Sequence, residues 1–434
     1  MSDATFCTKE SAAMEDASRN TSGRDETPGL SKETLGLMTV ATGLFVASIY
    51  YNQPMLGILA REFNAGVGGV SLVAVATQVG YAAGLVLLAS LGDCFERRRL
   101  ISITTVALSL SLALAALAPG LGTLVAASLC IGLLATVAQQ VVPMAAHLAS
   151  EHQRGQVVGT VMAGLLSGIL LARTVSGLVS EYGSWREMFG LASVATLLMG
   201  VVLAVRLPRV EPAAVISYQQ TLLSLVRLIR THRTLRQAGL VQGLLFGAFV
   251  AFWANIALFL EQPPFSKGST VTGLLGLLGV AGVLMAPVAG RLADRRGQSR
   301  GKVVAWGAAA VSVSFVLFGV FRTSWAALLA GIVLMDVGLQ AAMISNQARV
   351  YSLDASARSR LNTVFMTTMF MGGSLGAAIG SQAFARIGWA GVCVLGALCS
   401  ALALAVELLT PVDGAHPITI LSGEQECAPS SGAL

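Results

Sequence analysis

Long apolar stretches, separated by short polar connections, form the main pattern along these 434 residues. A helix of about 20 apolar residues is long enough to cross a lipid bilayer, and twelve stretches reach that length. Lipid offers the backbone no hydrogen-bond partner, and the alternation of ~10-residue barrel strands is not visible, so all twelve are predicted to be helices. In chain order, spans 1 to 12 are predicted at residues 35–58, 68–91, 100–118, 121–148, 157–180, 187–207, 237–260, 269–289, 302–321, 324–348, 361–385 and 388–410.

The order of motifs indicates that the chain is built from two similar halves. Residues 92–99 follow span 2 and residues 290–297 follow span 8, and each segment has glycine, three residues, an acid and then arginines. We therefore predict an all-α membrane protein with twelve helices in two pseudo-symmetric six-helix halves, as in two-fold transporters. Three further pairs recur at an offset of 204 residues: Arg154 with Arg358, Gly168 with Gly372, and Trp185 with Trp389.

Polar segments divide the chain into five regions. Residues 1–34 and 411–434 contain no apolar core and are predicted to be disordered cytoplasmic tails, the first of them not a signal peptide. The two six-helix halves are predicted at 35–207 and 237–410, joined by a cytoplasmic linker at 208–236. Arginines recur every third residue among leucines in this linker. The pattern predicts either a basic amphipathic segment on the inner leaflet or a plain loop that follows the charge bias.

Composition and charge indicate a membrane location and an orientation. The chain is 55% hydrophobic and 12% charged with a mean hydropathy of +0.74, whereas soluble domains average about 25% charged residues. If odd spans run outwards, 22 of the 28 Lys and Arg residues lie on the cytoplasmic side. The positive-inside rule then predicts a multi-pass protein of the cytoplasmic (inner) membrane with both termini in the cytoplasm. The same bias accounts for the net charge of +6, so no nucleic-acid partner is expected.

Several classes of function are disfavoured by missing motifs. The six cysteines have neither disulfide nor metal-site spacing, and no cofactor or metal is expected. No phosphate-binding G-x-x-x-x-G-K-[ST] loop occurs, which argues against transport driven by ATP on this chain. An enzyme would need clustered nucleophiles, bases or metal ligands, and charge is concentrated only in the arginine loops. The chain is therefore predicted not to be an enzyme, and a monomer is expected.

Ionisable side chains at lipid depth are the main functional candidates, because a charge at the centre of a bilayer costs at least about 2.5 kcal/mol. Asp336 lies near the middle of span 10, and its helical face continues through Gln340. We expect Asp336 to bind a proton or a cationic group, with protons as the coupling ion, or else to be a permanently ionised partner in a structural pair.

Arg173 is the second ionisable residue within a span, in the outer half of span 5. It could bind an anionic group of a solute, pair with a carbonyl or an acid, or extend towards the interface. The sequence leaves open whether Arg173 and Asp336 form a salt bridge across the halves.

The two arginine loops resemble the signature loop of the major facilitator superfamily, usually written G-x-x-x-D-R-x-G-R-R. The resemblance covers about residues 35–410 and implies two moving six-helix halves. Residues 50–54, 183–186 and 345–349 are similar to segments of its bacterial sugar- and drug-efflux branch, the arabinose efflux permease-like proteins. The matching loop residues are Gly92, Glu96 and Arg97 in the first copy and Gly290, Asp294 and Arg295 in the second.

The resemblance also implies roles for particular residues. The loop residues would clamp cytoplasmic helix ends and stabilise one conformation, in addition to determining topology. Glycines repeating at intervals of four in spans 2, 5, 8 and 11 would form the interface between the halves. Spans 1, 4, 7 and 10 would line a central cavity. Their polar and aromatic residues are candidates to contact the solute, or else to form interhelical hydrogen bonds: Tyr51, Asn52, Gln140, Trp253 and Asn255.

Taken together, these features favour a secondary active transporter that moves a small organic solute across the membrane by alternating access. Proton-coupled efflux through Asp336 is the preferred form. An uptake symporter and an uncoupled facilitator are the alternatives within transport. A membrane receptor on the same fold is the alternative from a different class. The sequence identifies neither the solute nor the direction.

Overall fold

A computed structural model of the chain describes its folded part in several ranges. The tails, apart from residues 31–34, lie outside the description, and so do Gly290, Asp294 and Arg295 of the second loop. The described residues are 31–88, 91–92, 95–150, 153–209, 218–282, 284, 299–354 and 357–410.

Helices make up almost all of the described chain, and eleven of them are long and apolar enough to cross a membrane. The predicted all-helical fold is confirmed. Span 8 is described only at its beginning, with an α-helix at Ser269–Leu275 followed by a 3₁₀ turn at Gly276–Gly279. The other spans, in order, are Lys32–Ala47 with Asn52–Glu62, Val67–Leu87, Arg97–Ala116, Leu121–Ala135 with Ala138–Leu148, Arg154–Tyr182, Trp185–Arg206, Arg233–Leu260, Ser299–Val320, Trp325–Tyr351, Arg358–Ile387 and Trp389–Leu409.

Consecutive spans cross the bundle in opposite directions, so the molecule has two distinct ends. We call the end with the start of span 1 and the end of span 12 the near end. The opposite end, with the connections at 63–66, 183–184 and 261–268, is the far end. The near end also carries the first arginine loop and the linker.

Span 1 is broken into two helices just before Pro54. The first helix ends at Ala47, and the second begins at Asn52, two residues before Pro54. Pro54 therefore lies in the first turn of the second helix, where the backbone needs no N–H donor. The break leaves the consecutive residues Tyr50, Tyr51 and Asn52 buried at the centre of the protein.

The linker helix runs over Tyr218–Thr231 at the near end. Thr221 and Leu225 are buried, whereas Leu223 is 69% exposed. The chain then turns at His232 into span 7. The predicted arginine stripe is thus divided, since Arg233 and Arg236 belong to span 7, and Arg236 donates to the carbonyls of residues 229 and 230 at 2.8 Å.

The described glycine repeats join spans within each half, so the expectation that they join the halves is wrong. A methyl group on Gly43 of span 1 would lie 2.6 Å from the carbonyl oxygen of Gly164 in span 5. Spans 7 and 11 make the equivalent contact, with Gly247 against Gly372. Such small residues let backbones approach closely where lipid provides little hydrophobic driving force. The repeats therefore hold each half together.

Between the halves, span 2 packs on span 11 and span 5 packs on span 8, and several polar contacts lie at the far end. Arg61 of span 1 forms a 2.6 Å ion pair with Glu261 at the end of span 7. Glu181 of span 5 accepts a hydrogen bond from the backbone N–H of Thr270 in span 8 at 2.5 Å. Ser269 adds a 3.0 Å hydrogen bond to the carbonyl of Gly177. These polar contacts close the far end of the bundle.

Candidate functional site

The centre of the bundle contains a buried arginine. Arg173 of span 5 is only 2% exposed, although arginine is almost never fully buried without a partner. Its Nε donates a 2.9 Å hydrogen bond to the side-chain oxygen of Gln53 in span 1. Its Nη2 is buried and has no hydrogen-bond partner in the described part of the chain. Nε thus fixes the orientation of the guanidinium, while Nη2 has no hydrogen-bond partner among the described residues.

Three aromatic rings surround this guanidinium. Its central carbon lies 4.1 Å from the ring centre of Trp253, 5.1 Å from that of Tyr50 and 5.5 Å from that of Phe249. A cation within about 6 Å of an aromatic ring is attracted by the electrons of its face. The rings therefore stabilise the charge of Arg173 in a site that excludes water.

Asp336 of span 10 is buried beside the same site. It is 7% exposed, and its Oδ2 has no hydrogen-bond partner among the described residues. The helix packs on span 8, where a methyl group on Gly279 would lie 3.7 and 3.8 Å from the two carboxylate oxygens. Asp336, the candidate proton carrier, thus lies in the second half with one carboxylate oxygen that has no hydrogen-bond partner among the described residues.

Arg173 and Asp336 interact electrostatically without forming a salt bridge. Each charge influences the other, but no Arg173 nitrogen lies within 4.0 Å of an Asp336 oxygen in this structure. Both groups lie along the 3₁₀ turn of span 8. The stem of Arg173 packs on Gly276, and the carboxylate of Asp336 lies on Gly279. The sequence left open whether these two residues form a salt bridge, and in this structure they do not.

Three other candidates from the sequence are buried, and each forms a hydrogen bond away from the charged pair. Asn52 donates to the hydroxyl of Thr77 in span 2 at 2.8 Å, which ties spans 1 and 2 together. Gln140 donates to a backbone carbonyl at the end of span 2 at 3.4 Å, and Asn255 donates to its own helix at 2.8 Å. These contacts match the alternative of interhelical or local hydrogen bonds.

The two remaining candidates are not part of the charged pair. Tyr51 is buried at the break in span 1. Gln340 is half-buried one helical turn after Asp336, and a methyl group on Gly282 of span 8 would lie 3.1 Å from its Cγ. Of the eight candidates, the structure brings together Arg173, Trp253 and Asp336.

Three residues of the site were not among the candidates from the sequence. Gln53, Tyr50 and Phe249 complete the surroundings of Arg173. Gln53 was detectable as an amide next to Pro54, in the turn that breaks span 1. The two rings carry no comparable signal, because aromatic residues are common in membrane helices.

The first arginine loop bonds to its own backbone and to a neighbouring helix. Arg97 donates from Nε to the carbonyl of Gly92 at 3.2 Å. Arg98 donates to the carbonyl of Ala204 in span 6. Glu96 is the residue before span 3 and has a buried carboxylate oxygen without a hydrogen-bond partner among described residues.

A second buried acid lies near the end of span 12. Glu407 is 5% exposed and accepts hydrogen bonds from Arg349 of span 10 at 2.9 and 3.1 Å and from Gln237 of span 7 at 3.3 Å. These three residues join spans 7, 10 and 12 at the near end of the second half. The carboxylate of Glu407 therefore has hydrogen-bond partners, whereas Oδ2 of Asp336 has none among the described residues.

Comparison with known proteins agrees with this architecture. The sequence profile of the Major Facilitator Superfamily matches residues 38–353 and 268–429. A relative from Escherichia coli, described as the uncharacterized transporter YgaY, is 41% identical over 377 residues, or 87% of this chain and 95% of the relative. A probable transporter from Streptomyces coelicolor is 32% identical over 380 residues, or 87% of this chain and 88% of the relative.

Solved structures show the same fold at low sequence identity. A mutant of the nucleoside transporter NupG superposes with a TM-score of 0.69 at 13% identity, covering 86% of this chain and 99% of that one. The human organic anion transporter MFSD10 gives a TM-score of 0.64 at 16% identity, covering 87% and 100%.

A two-half bundle of membrane helices with a polar centre defines the class of transporters that work by alternating access. The chain belongs to the major facilitator superfamily. It is a multi-pass membrane transporter and not an enzyme.

Proposed function

We propose that this chain is a proton-coupled secondary transporter that exports a small organic solute. The observation that carries the proposal is Asp336, an acid buried in the middle of span 10 with an unpartnered oxygen. An ionisable group at this depth is expensive to bury, so its presence favours a role in binding an ion or a solute.

The contacts between the halves support alternating access. The far end is closed by the pair Arg61–Glu261 and by the bond from Thr270 to Glu181. Opening the far end would break these contacts, while the glycine contacts inside each half can persist. We propose that the halves rock around the central site as two rigid units.

The orientation and direction are proposals from charge. The near end carries most of the Lys and Arg residues, so we propose that it faces the cytoplasm of a bacterial inner membrane. A state closed at the far end would then accept the solute from inside. Protonation of Asp336 from outside would release the solute there, which is export by proton exchange.

The first prediction tests Asp336 directly. In inside-out vesicles with an imposed pH gradient, addition of a transported solute should release protons through the native protein, and Asp336→Asn should abolish that release. Sugars, nucleosides, organic acids, amino acids and antibiotics form the panel, read with a pH-quenched dye. Exchange of Arg61 for Lys keeps the charge of an exposed residue and is the matched control.

The outcomes separate the alternatives. If labelled solute crosses the membrane and no protons move, the protein is a facilitator or uses another ion, and the coupling role of Asp336 is rejected. Protons and solute moving in the same direction would identify an uptake symporter. Binding without flux of any solute would indicate a receptor.

A further inference from the structure

We propose that the central site binds a small bifunctional solute of the amino-acid type. Its carboxylate would bind Arg173, an adjacent ammonium or hydroxyl group would bind Asp336, and its apolar side chain would contact Tyr50, Phe249 and Trp253. This inference rests on the proposed transport function, because it assigns a substrate class to the site of that transporter.

The first step is the free donor on the first half. The Nη2 of Arg173 is buried without a hydrogen-bond partner in the described chain, while Nε is held by Gln53. The indole N–H of Trp253 is a second buried donor without a partner there. Hydrogen bonds from a guanidinium to a carboxylate are among the strongest available in proteins. Arg173 of the first half and Trp253 of the second therefore offer two buried donors to an anionic group.

The second step is the free acceptor on the second half. Asp336 has one buried oxygen without a partner among described residues, and a carboxylate in its ionised form only accepts hydrogen bonds. An unpaired charge of this kind is costly to bury. A solute that donates to Asp336 would therefore satisfy it, and an ammonium group would also neutralise it.

The third step is the spacing of the two groups. Arg173 packs on Gly276 and Asp336 on Gly279, three residues later in a 3₁₀ turn. The guanidinium of Arg173 and the carboxylate of Asp336 influence each other electrostatically but make no ion pair within 4.0 Å. Adjacent carboxylate and donor groups on one small molecule would therefore bind one charged group each.

The fourth step is the apolar surroundings. The rings of Phe249 and Trp253 lie 6.2 Å apart, and Phe246 stacks on Phe249 at 5.8 Å on the same side of span 7. Flat aromatic surfaces give an apolar or aromatic side chain a large area to pack against. The wall of rings thus adds selectivity for large apolar side chains.

This substrate class also accounts for the direction of coupling. An ammonium group of the solute pairs with the ionised form of Asp336, so a proton on Asp336 competes with the solute. Two ligands that exclude each other at one site are exchanged across the membrane, as export by antiport requires.

The experiment uses the full-length protein in lipid nanodiscs and four probes: L-phenylalanine, L-phenyllactate, L-phenylalaninamide and 3-phenylpropionate. Binding is read from intrinsic tryptophan fluorescence. The native protein should bind the first two at least about tenfold more tightly than the amide or the propionate, because each of the latter leaves one buried group unpaired. Arg173→Gln should abolish the preference for phenylalanine over its amide. Asp336→Asn should abolish the preference over phenylpropionate.

The probe series on the native protein does not depend on either variant folding. Equal binding of phenylalanine and phenylpropionate to the native protein would overturn the proposal. So would failure of all four probes to bind while the vesicle experiment shows proton-coupled flux of another solute, and in that case the transport function stands. Selective binding of phenylalanine without any flux would support the site and reject the transport function.

Discussion

At the scale of single residues, the site depends on how Arg173 is held. Gln53 accepts the Nε hydrogen bond, and three rings face the guanidinium. Both charged candidates could be found from the sequence, since ionisable residues are rare at lipid depth. Their amide and aromatic neighbours could not, because such residues occur throughout membrane helices and only the fold selects those that meet.

The amide of Gln53 should be measurable as a stabilising residue. Gln53→Met leaves the buried Nε of Arg173 without its acceptor, and we expect a loss of about 1.5–3 kcal/mol, the range for hydrogen bonds to charged groups. Thermal unfolding of the purified protein in detergent provides the measurement. Gln156→Met, at an exposed position of span 5, is the matched control and should change little. Equal effects of the two changes would reject the role of Gln53.

Two acid–arginine pairs at the near end should differ in how much stability the protein loses when the acid is neutralised. Glu407→Gln weakens the buried pair with Arg349 and should cost up to about 3–5 kcal/mol, because a buried charge loses its partner. Glu33→Gln affects a pair with Arg206 at 3.6 Å whose side chains are 87% and 66% exposed, and should leave the midpoint of unfolding unchanged. A larger effect at Glu33 would contradict this assignment.

At the scale of helices, small residues determine which spans approach each other. Their spacing was visible in the sequence, but a repeat of glycines shows that some backbone comes close without showing which one. In the structure, Gly164 of span 5 packs on span 1, and Gly372 of span 11 packs on span 7. The break in span 1 was predictable from Pro54, whereas the 3₁₀ turn of span 8 carries no distinctive residue pattern besides Gly276 and Gly279.

The same substitution should have opposite effects at two glycines. In Gly168→Ala the new methyl group meets the backbone of Gly43, so we expect a loss of about 1–3 kcal/mol as spans 1 and 5 are pushed apart. Gly190 lies within span 6 with open space around it, and Gly190→Ala should stabilise the helix by up to about 1 kcal/mol. Unfolding temperatures of both variants test the packing, and a stabilising Gly168→Ala would contradict it.

At the scale of the whole molecule, the halves are joined by polar contacts at the far end. The side chains of Arg61 and Glu261 are 64% and 23% exposed. An exposed pair contributes at most about 1 kcal/mol, which is small enough to be broken in each transport cycle. The two-half architecture followed from the duplicated motifs, but the end at which the halves meet depends on contacts that no repeat pattern encodes.

Reversing one charge should open the far end. Arg61→Glu places two acids together, and we expect a several-fold increase in labelling of a reporter cysteine at Thr272, a buried far-end residue. A membrane-impermeant maleimide applied from the far side of cysteine-free protein in vesicles measures this. The double variant Arg61→Glu, Glu261→Arg should restore low labelling. Unchanged labelling in Arg61→Glu would show that the pair does not control closure.

The two charges of the central site belong to different halves, and the repeat between the halves does not extend to them. At the offset of 204 residues, Arg173 corresponds to Ala377 and Asp336 corresponds to Gly132. Ala377 is fully buried, and a side chain on Gly132 would meet the backbone of span 2. The site is therefore polar in one direction across the seam between the halves: one half supplies the cation and the other the acid, so a solute bound between them has a single orientation.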